Sequence, residues 1–320
     1  MLQNNQKGFT LLELLVVITL LATLSVGALV AYEGIGENAT SVAAANNIKV
    51  ADSSIRTFRA IENVYPNQWD NLANVDGLSV GGAQDVLADA TLGFFGQWTA
   101  TTANNVTSAV ASSLNAVGVN EFQTLRGAAT INLAQVSPNE AFNESAPGVS
   151  VPADELEFEF GPTGALSVVN YANATQATWS ISVVPSGGNN QACTAGGGAF
   201  NAPFQGAALT DNSPLNRIND NLDNDECNLV IAVGFGKDVP GTTLDSRVAI
   251  STAPTYTNGI TVNPSTHYAR FMALFHVASD EDGNGTIATG EVFPRARLLA
   301  VVDTEGRTID ESIAGAFRTN

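Results

Sequence analysis

The sequence predicts an α+β fold in which one long N-terminal α-helix packs on a globular head that contains an antiparallel β-sheet. The helix is indicated by residues 14–32, an apolar run without Asp, Glu, Lys or Arg. This run leads into a stretch with apolar residues at three- and four-residue steps. The sheet is indicated by short apolar or alternating segments in the C-terminal half, such as residues 156–160.

The first half of the helix has the length of a membrane span, because residues 14–32 approach the ~20 residues that cross ~30 Å of hydrocarbon. Glu13 lies at the start of this run, where one carboxylate costs roughly 2.5–3.5 kcal/mol on insertion scales. The carboxylate therefore needs a partner. The apolar core of a secretory signal, about 7–15 residues, is shorter than this run. A plain membrane anchor does not account for Glu13.

The motif around this carboxylate is specific. Residues 7–13 read Lys-Gly-Phe-Thr-Leu-Leu-Glu, and the run continues as Leu-Leu-Val-Val-Ile. This resembles the N-terminus of class III signal peptides, the prepilins of type IV pili and their relatives in type II secretion. The resemblance covers about residues 1–60. It implies that a membrane peptidase cuts after Gly8, that Phe9 becomes N-methylated, and that Glu13 is retained.

The resemblance implies three parts: a leader peptide at 1–8, a transmembrane and assembly helix at 9–64, and a globular α+β head at 65–320. The precursor is expected in the inner membrane, and the mature chain in an extracellular pilus, or fimbrium. The implied partners are a prepilin peptidase and methyltransferase, an assembly platform with its ATPase, and further copies of the chain in a helical homopolymer. Glu13 is expected to pair with the amine of Phe9 on a neighbouring subunit, which offsets the cost of burying each charge. The alternative is that Glu13 only stays at the membrane surface.

After Tyr32 the helix is predicted to become amphipathic and to pack against the head. It is expected to end at residues 63–66, where Pro66 disfavours helix for the residue before it. A helix of about 50 residues is ~75 Å long. Its apolar stripe consists of Val42, Ala45, Ile48, Ala51, Ile55, Phe58 and Ile61.

The head has about 255 residues, enough for one large domain or two small ones. Helices are predicted near residues 83–95 and 105–117, and a short helix at 309–317. Segments with alternating or continuous apolar patterns are predicted to be strands. These are residues 156–160, 165–171, 178–184, 229–235, 247–251, 268–277 and 295–302.

Cys193 and Cys227 are the two cysteines of the chain. In an exported chain such a pair indicates one disulfide, and pilins of this kind often carry one in the C-terminal part of the head. It would close a loop of about 35 residues and stabilise the fold by ~3–4 kcal/mol. Two free thiols are the alternative.

The net charge of −18 argues against direct binding of nucleic acid.

Residues 280–291 fit the twelve-residue calcium loop. Oxygen donors stand at positions 1, 3 and 5, and Gly285 at position 6 allows the sharp turn. Position 7 offers its backbone carbonyl, and the glutamate at position 12 can bind through both oxygens. The sequence therefore predicts a Ca²⁺ site. Its ligands are Asp280, Asp282, Asn284, Thr286 and Glu291.

This segment resembles an EF-hand loop, but strands rather than helices are expected on its flanks, and Pro294 argues further against a full EF-hand. Binding is expected at ~10⁻⁴–10⁻³ M, as in extracellular modules. The alternative is an acidic turn without metal. A second acidic cluster, residues 220–226, has no ordered template, so a solvated loop is favoured there, with a second calcium site as the alternative.

The chain is not predicted to be an enzyme. A Gly-x-Ser-x-Gly pattern at residues 77–81 would need a strand, a helix and a histidine partner to form a nucleophile elbow. His267 and His276 are nine residues apart on a predicted strand, so their side chains are expected on opposite faces. This argues against a hydrolase and against a two-histidine metal site.

The predicted function is therefore structural: a pilin that polymerises through its N-terminal helix into an extracellular filament with roles in adhesion or motility. Two alternatives stay open. The calcium loop also suits a type II secretion pseudopilin. The large head also suits a low-abundance minor pilin that acts as a tip adhesin.

Overall fold

The computed structural model describes residues 10–73, 87–101, 103–125, 155–160, 166–169, 178–222, 226–235 and 261–317. It has the predicted α+β architecture, and the predicted strand at 247–251 lies outside the described residues. The helices are α1 (Leu11–Glu62), α2 (Asn105–Asn115), α3 (Ser213–Asn216) and α4 (Ile309–Phe317). The strands are β1 (Trp69–Asn71), β2 (Gly96–Thr101), β3 (Glu121–Leu125), β4 (Glu155–Phe160), β5 (Leu166–Val169), β6 (Thr178–Val184), β7 (Thr194–Ala195), β8 (Gly198–Ala199), β9 (Asn228–Phe235), β10 (Phe271–Ser279), β11 (Thr286–Ile287) and β12 (Val292–Val302).

Helix α1 runs without a break for 52 residues. Its last turn is closed by Asn63, which adopts the left-handed conformation (φ 65°) and donates its N–H to the carbonyl of Arg59 at 2.9 Å. Pro66 follows, as the sequence predicts. Residues Leu11–Leu29 of α1 are exposed, whereas the second half of the helix packs against α4 and β12.

The predicted apolar stripe of α1 is buried only in its middle. Ala45, Ile48, Ala51, Ile55 and Phe58 are buried in the core of the head. The two ends of the stripe were predicted wrongly, because Val42 is 53% exposed and Ile61 is 48% exposed. The stripe is therefore longer than the surface of the head that covers it.

Within the described residues the main sheet has nine strands, ordered β12-β10-β9-β1-β3-β4-β5, with β6 also paired to β9 and β2 paired to β6. Its pairs are antiparallel except for β1 and β3, which run parallel. A small second sheet has the order β11-β7-β8. This small sheet joins β7 and β8, which follow Cys193, to β11, which follows β10.

The centre of the main sheet is covered on both faces. Alternate residues of β9, such as Ile231 and Val233, face a core shared with α1 and α2. The residues between them, Val230 and Ala232, face a second core shared with Phe95 and other residues of the irregular segments. A strand buried on both faces has a continuous apolar sequence rather than an alternating one.

The N-terminal part of the head differs from the prediction. Residues 87–95, which were predicted to end a helix, form only a 3₁₀ turn at Asp89–Thr91. The hydroxyl of Thr91 donates to the carbonyl of Ala88 at 2.6 Å, a local contact that competes with continued α-helix. Strands β1, β2 and β3 were missed, since short polar segments carry a weak strand pattern.

Candidate functional site

The start of α1 is held by a capping box. Glu13 Oε2 accepts hydrogen bonds from the N–H of Thr10 at 2.9 Å and from its hydroxyl at 3.0 Å. The N–H of Glu13 donates to Thr10 Oγ1 at 3.3 Å. These contacts satisfy donors that helix geometry otherwise leaves unpaired. The predicted processing residues Gly8 and Phe9 lie outside the described residues.

The helix that follows presents an apolar surface on all sides. Residues Leu11–Leu29 have a mean hydropathy of 2.3, and none of this segment is buried within the chain. Leu20 and Leu24, for example, are 60% and 62% exposed. Apolar surfaces of this extent are normally covered by lipid or by protein.

The predicted metal loop forms the connection between β10 and β12, so its flanks are strands, as the sequence indicates. It brings three of the predicted ligand residues together. One carboxylate oxygen from each of Asp280, Asp282 and Glu291 lies within 4.8 Å of the others. Like charges this close repel one another, and a divalent cation between them relieves the repulsion.

Asp280, at position 1 of the loop, is buried and organises the turn. Its Oδ1 accepts the N–H groups of Gly283 at 3.1 Å and Asn284 at 3.3 Å, and its Oδ2 accepts that of Gly285 at 2.7 Å. Gly285 adopts φ 81°, and a Cβ there would lie 2.8 Å from the side-chain oxygen of Gln191. The glycine at position 6 is thus favoured by its left-handed conformation, and a side chain there would also displace Gln191.

The remaining predicted ligands lie on the same loop, with their side chains held by the backbone. Asn284 Oδ1 accepts the N–H of Thr286 at 2.7 Å, while its Nδ2 donates to Asp282 Oδ2 at 2.7 Å. Glu291 Oε1 accepts the N–H of Glu281 at 2.9 Å, and its Oε2 accepts that of Ala288 at 2.7 Å. Glu291 therefore folds back across the loop with both oxygens.

The disulfide lies directly beside this loop. Cys193 and Cys227 are joined, with their Cα atoms 5.3 Å apart. The carbonyl of Cys227 accepts the N–H of Asp280 at 2.8 Å. Thr194, next to Cys193, donates its N–H to the carbonyl of Gly285 at 2.9 Å. This proximity was not apparent from the sequence, because the segments are more than fifty residues apart.

A cavity of about 150 Å³ is lined by residues of both the loop and the disulfide segment. Asp280 and Glu226 both line it, together with Asn189, Cys227 and glycines. Glu226 is the last residue of the second acidic cluster, residues 220–226, which is distant from the metal loop in the sequence. Among the described residues of that cluster, Glu226 lines the same cavity as Asp280, and residues 223–225 lie outside the described residues.

The histidines do not form a site. The placement of both on one strand was wrong: His267 lies in the turn before β10, and His276 lies within β10. His276 Nε2 lies 3.1 Å from Asn228 Oδ1, and burial lowers the pKa of His276 to about 4. The Gly-x-Ser-x-Gly pattern at 77–81 lies outside the described residues.

Comparison with known proteins gives one family signal, at the N-terminus. A family model described as the prokaryotic N-terminal methylation motif matches residues 3–29. No curated protein and no solved structure is significantly similar to the chain. The match includes Gly8, Phe9 and Glu13 and overlaps the exposed half of α1. The chain therefore carries the class III signal peptide of the type IV pilins and pseudopilins.

Proposed function

We propose that the chain is the structural subunit, or pilin, of an extracellular type IV pilus-like filament. The observation that supports this most directly is the exposed apolar half of α1, which begins two residues after Phe9. A bilayer covers this surface in the precursor. In the filament, the same half of α1 from neighbouring copies covers it, so one surface serves both states.

Processing follows from the methylation motif. A prepilin peptidase and methyltransferase of the inner membrane cuts after Gly8 and methylates Phe9, and an assembly platform then extracts the mature chain from the membrane. The amine of Phe9 carries a new positive charge next to the start of α1. The pilus outside the cell is the final location.

Glu13 is proposed to set the axial register of the filament. Within the described part of the chain its carboxylate is held by Thr10, and this local contact can be exchanged for a charged partner. The amine of Phe9 on a neighbouring copy supplies that partner. Within an apolar helix bundle, either charge alone is costly, so copies are stable only where the two meet.

The head is proposed to bind one Ca²⁺ in the 280–291 loop. Support comes from the convergence of Asp280, Asp282 and Glu291, together with the oxygen donors of Asn284 and the backbone carbonyl of Thr286. Hard cations such as Ca²⁺ prefer such oxygen ligands, and the expected dissociation constant is ~10⁻⁴–10⁻³ M.

Calorimetric titration of the full-length chain in detergent tests the calcium proposal. Asp282→Asn removes one charge from the cluster and is expected to weaken Ca²⁺ binding at least about tenfold. Glu281→Gln is the matched control, because Glu281 is an exposed neighbour outside the cluster. Equal affinities for wild type and Asp282→Asn, or heat changes absent from all three proteins, contradict a site in this loop.

A second candidate function is favoured by the calcium loop and by the size of the head. In this case the chain is a pseudopilin of type II secretion, or a minor pilin at the filament tip. Mass spectrometry of filaments sheared from the cell surface separates the candidates. A dominant chain that begins at methylated Phe9 supports the pilin. A few copies per filament support the tip subunit, and absence from surface filaments supports the pseudopilin.

A further inference from the structure

The 280–291 loop is anchored to the head at two backbone points, and the disulfide joins the segments that provide them. At position 1, the N–H of Asp280 donates to the carbonyl of Cys227 at 2.8 Å. At position 6, the carbonyl of Gly285 accepts the N–H of Thr194 at 2.9 Å. Thr194 directly follows Cys193 in the chain. One cysteine of the disulfide, Cys227, therefore forms an anchor itself, and the other, Cys193, is adjacent to one.

The second anchor extends into strand pairing. Thr286 pairs with Thr194 and Ile287 pairs with Ala195 in parallel register. The hydroxyls of Thr194 and Thr286 lie 3.0 Å apart, and the side chain of Ile287 is buried. A pair of two-residue strands has little stability of its own. Its order depends on whatever holds the two segments in place.

The segment around Thr194 has a second attachment, which does not involve the disulfide. Trp98 Nε1 donates to the carbonyl of Ala195 at 3.0 Å, and the N–H of Thr101 donates to the carbonyl of Gly196 at 3.2 Å. Both donors lie on β2. Without the disulfide, the segment stays on β2, but its covalent connection to Cys227 at the start of β9 is lost. The disulfide thus fixes the spacing between the two anchors of the loop.

We propose that the Cys193–Cys227 disulfide is a positioning element for the cation loop, so that its oxidation state sets the affinity of the loop for a divalent cation. This inference rests on the proposed Ca²⁺ site. Reduction by a dithiol breaks the sulfur–sulfur bond, gives two protein thiols, and leaves the reductant as a disulfide. The segments of Cys227 and Thr194, which anchor the loop, then lose their covalent connection, and the preorganisation of the ligands falls. By reciprocity, bound cation disfavours reduction by the same factor.

The test uses the full-length chain in detergent, with Ca²⁺ affinity measured by calorimetry before and after reduction with dithiothreitol, and in the Cys193→Ser/Cys227→Ser variant. The expected result is about tenfold weaker binding in the reduced protein and in the double variant. This is the range found when groups that orient metal ligands are removed. Far-UV circular dichroism checks that the fold persists. If the double variant unfolds, the reduced wild-type protein decides. Equal affinity in the oxidised and reduced forms overturns the proposal.

A second measurement separates failure of this inference from failure of the Ca²⁺ site. Hydrogen exchange without Ca²⁺ follows the amides of Asp280 and Thr194, which make the two anchoring hydrogen bonds. We expect both amides to exchange faster after reduction, while the amide of Thr101 on β2 keeps its protection. Unchanged exchange at both anchors overturns the positioning role. If exchange becomes faster but the protein binds no Ca²⁺, the disulfide still positions the loop, and only the proposed metal site is contradicted.

Discussion

The two halves of α1 carry the same kinds of apolar side chain in opposite surroundings. Leu20, in the first half, is 60% exposed, whereas Ile48 and Ile55, in the second half, are fully buried against the head. The first half contains an uncharged, mainly apolar run at residues 14–32, and the second has an apolar stripe on one side. The pattern of each half therefore indicates its partner: lipid or other copies for the first half, the head of the same chain for the second.

The largest expected effect comes from removing Glu13, the one charged residue of the exposed segment Leu11–Leu29. Glu13→Ala leaves the amine of Phe9 without its partner in the filament, so we expect filament assembly to fail or to fall strongly. The head stays folded, because Glu13 contacts only Thr10 among the described residues. Electron microscopy of sheared surface filaments, with the cellular amount of the chain measured in parallel, provides the readout.

Asp52→Ala is the control for this prediction. Asp52 is a carboxylate of the second half and pairs with Arg56 at 2.8 Å on the outer face of the helix. The control is expected to assemble normally. Normal filaments from Glu13→Ala would contradict the proposed register contact.

A large stability effect is expected from the buried half. Ile55→Ala opens a cavity under the head and is expected to lower the free energy of unfolding by about 2–5 kcal/mol. Leu20→Ala is the matched change in the exposed half and is expected to leave the unfolding of the head unchanged. Urea titration in detergent, followed by the fluorescence of the buried residues Trp69 and Trp98, measures both variants. If both variants lose the same free energy of unfolding, the two halves of α1 do not differ in their surroundings.

The sequence predicted these parts of the fold well because their signals are local. The apolar run, the three- and four-residue stripe and Pro66 located α1, whose observed end at Glu62 agrees with the prediction. The continuous apolar residues of β9 and β10 indicated buried strands. The spacing of Asp280, Asp282 and Glu291 indicated a loop in which these carboxylates converge, and the structure brings them together.

Other features depend on contacts between distant segments and have no local signal. The parallel pairing of β1 with β3 joins Trp69 to Phe122. The attachment of the metal loop to Thr194 joins residues that are separated by most of the C-terminal head. The ends of the α1 stripe at Val42 and Ile61 were predicted wrongly because a pattern shows which face is apolar but not how far a partner extends.

A pH effect is expected at the turn between β12 and α4. The turn before α4 contains Asp303, whose Oδ1 accepts the N–H groups of Glu305 and Arg307, both at 2.9 Å. Its Oδ2 is buried without a hydrogen-bond partner in the described chain, and burial raises the pKa of Asp303 to about 7. The native state therefore binds the proton more tightly than the unfolded state does.

The stabilising effect of this proton is complete below about pH 4 and is lost as the pH rises to about 7, by up to about 1.4 kcal/mol per pH unit. Asp303→Asn is expected to remove this part of the pH dependence, measured by urea unfolding at pH 4.5 and 7.5. Asp211→Asn is the control, since Asp211 is exposed and hydrogen bonds from Ser213 lower its pKa. A wild-type slope retained in Asp303→Asn contradicts this assignment.

The smallest effect is expected on the outer face of the buried half. Arg56→Ala removes the exposed pair with Asp52, one residue from Ile55, and is expected to cost about 0.5 kcal/mol or less. The same urea titration measures it. If Arg56→Ala lowers the free energy of unfolding as much as Ile55→Ala does, the outer face of this half is also covered. That result would contradict the difference between its two faces.

The most direct test of the account is a cryo-electron microscopy map of filaments sheared from the native cell surface. We expect a filament core built of the first half of α1 from many copies, with Glu13 next to the methylated amine of Phe9 of a neighbour. We also expect Ile48 and Ile55 to stay packed in the head of their own chain. A core built without this helix, or a filament in which Glu13 lies far from every Phe9 amine, would contradict it.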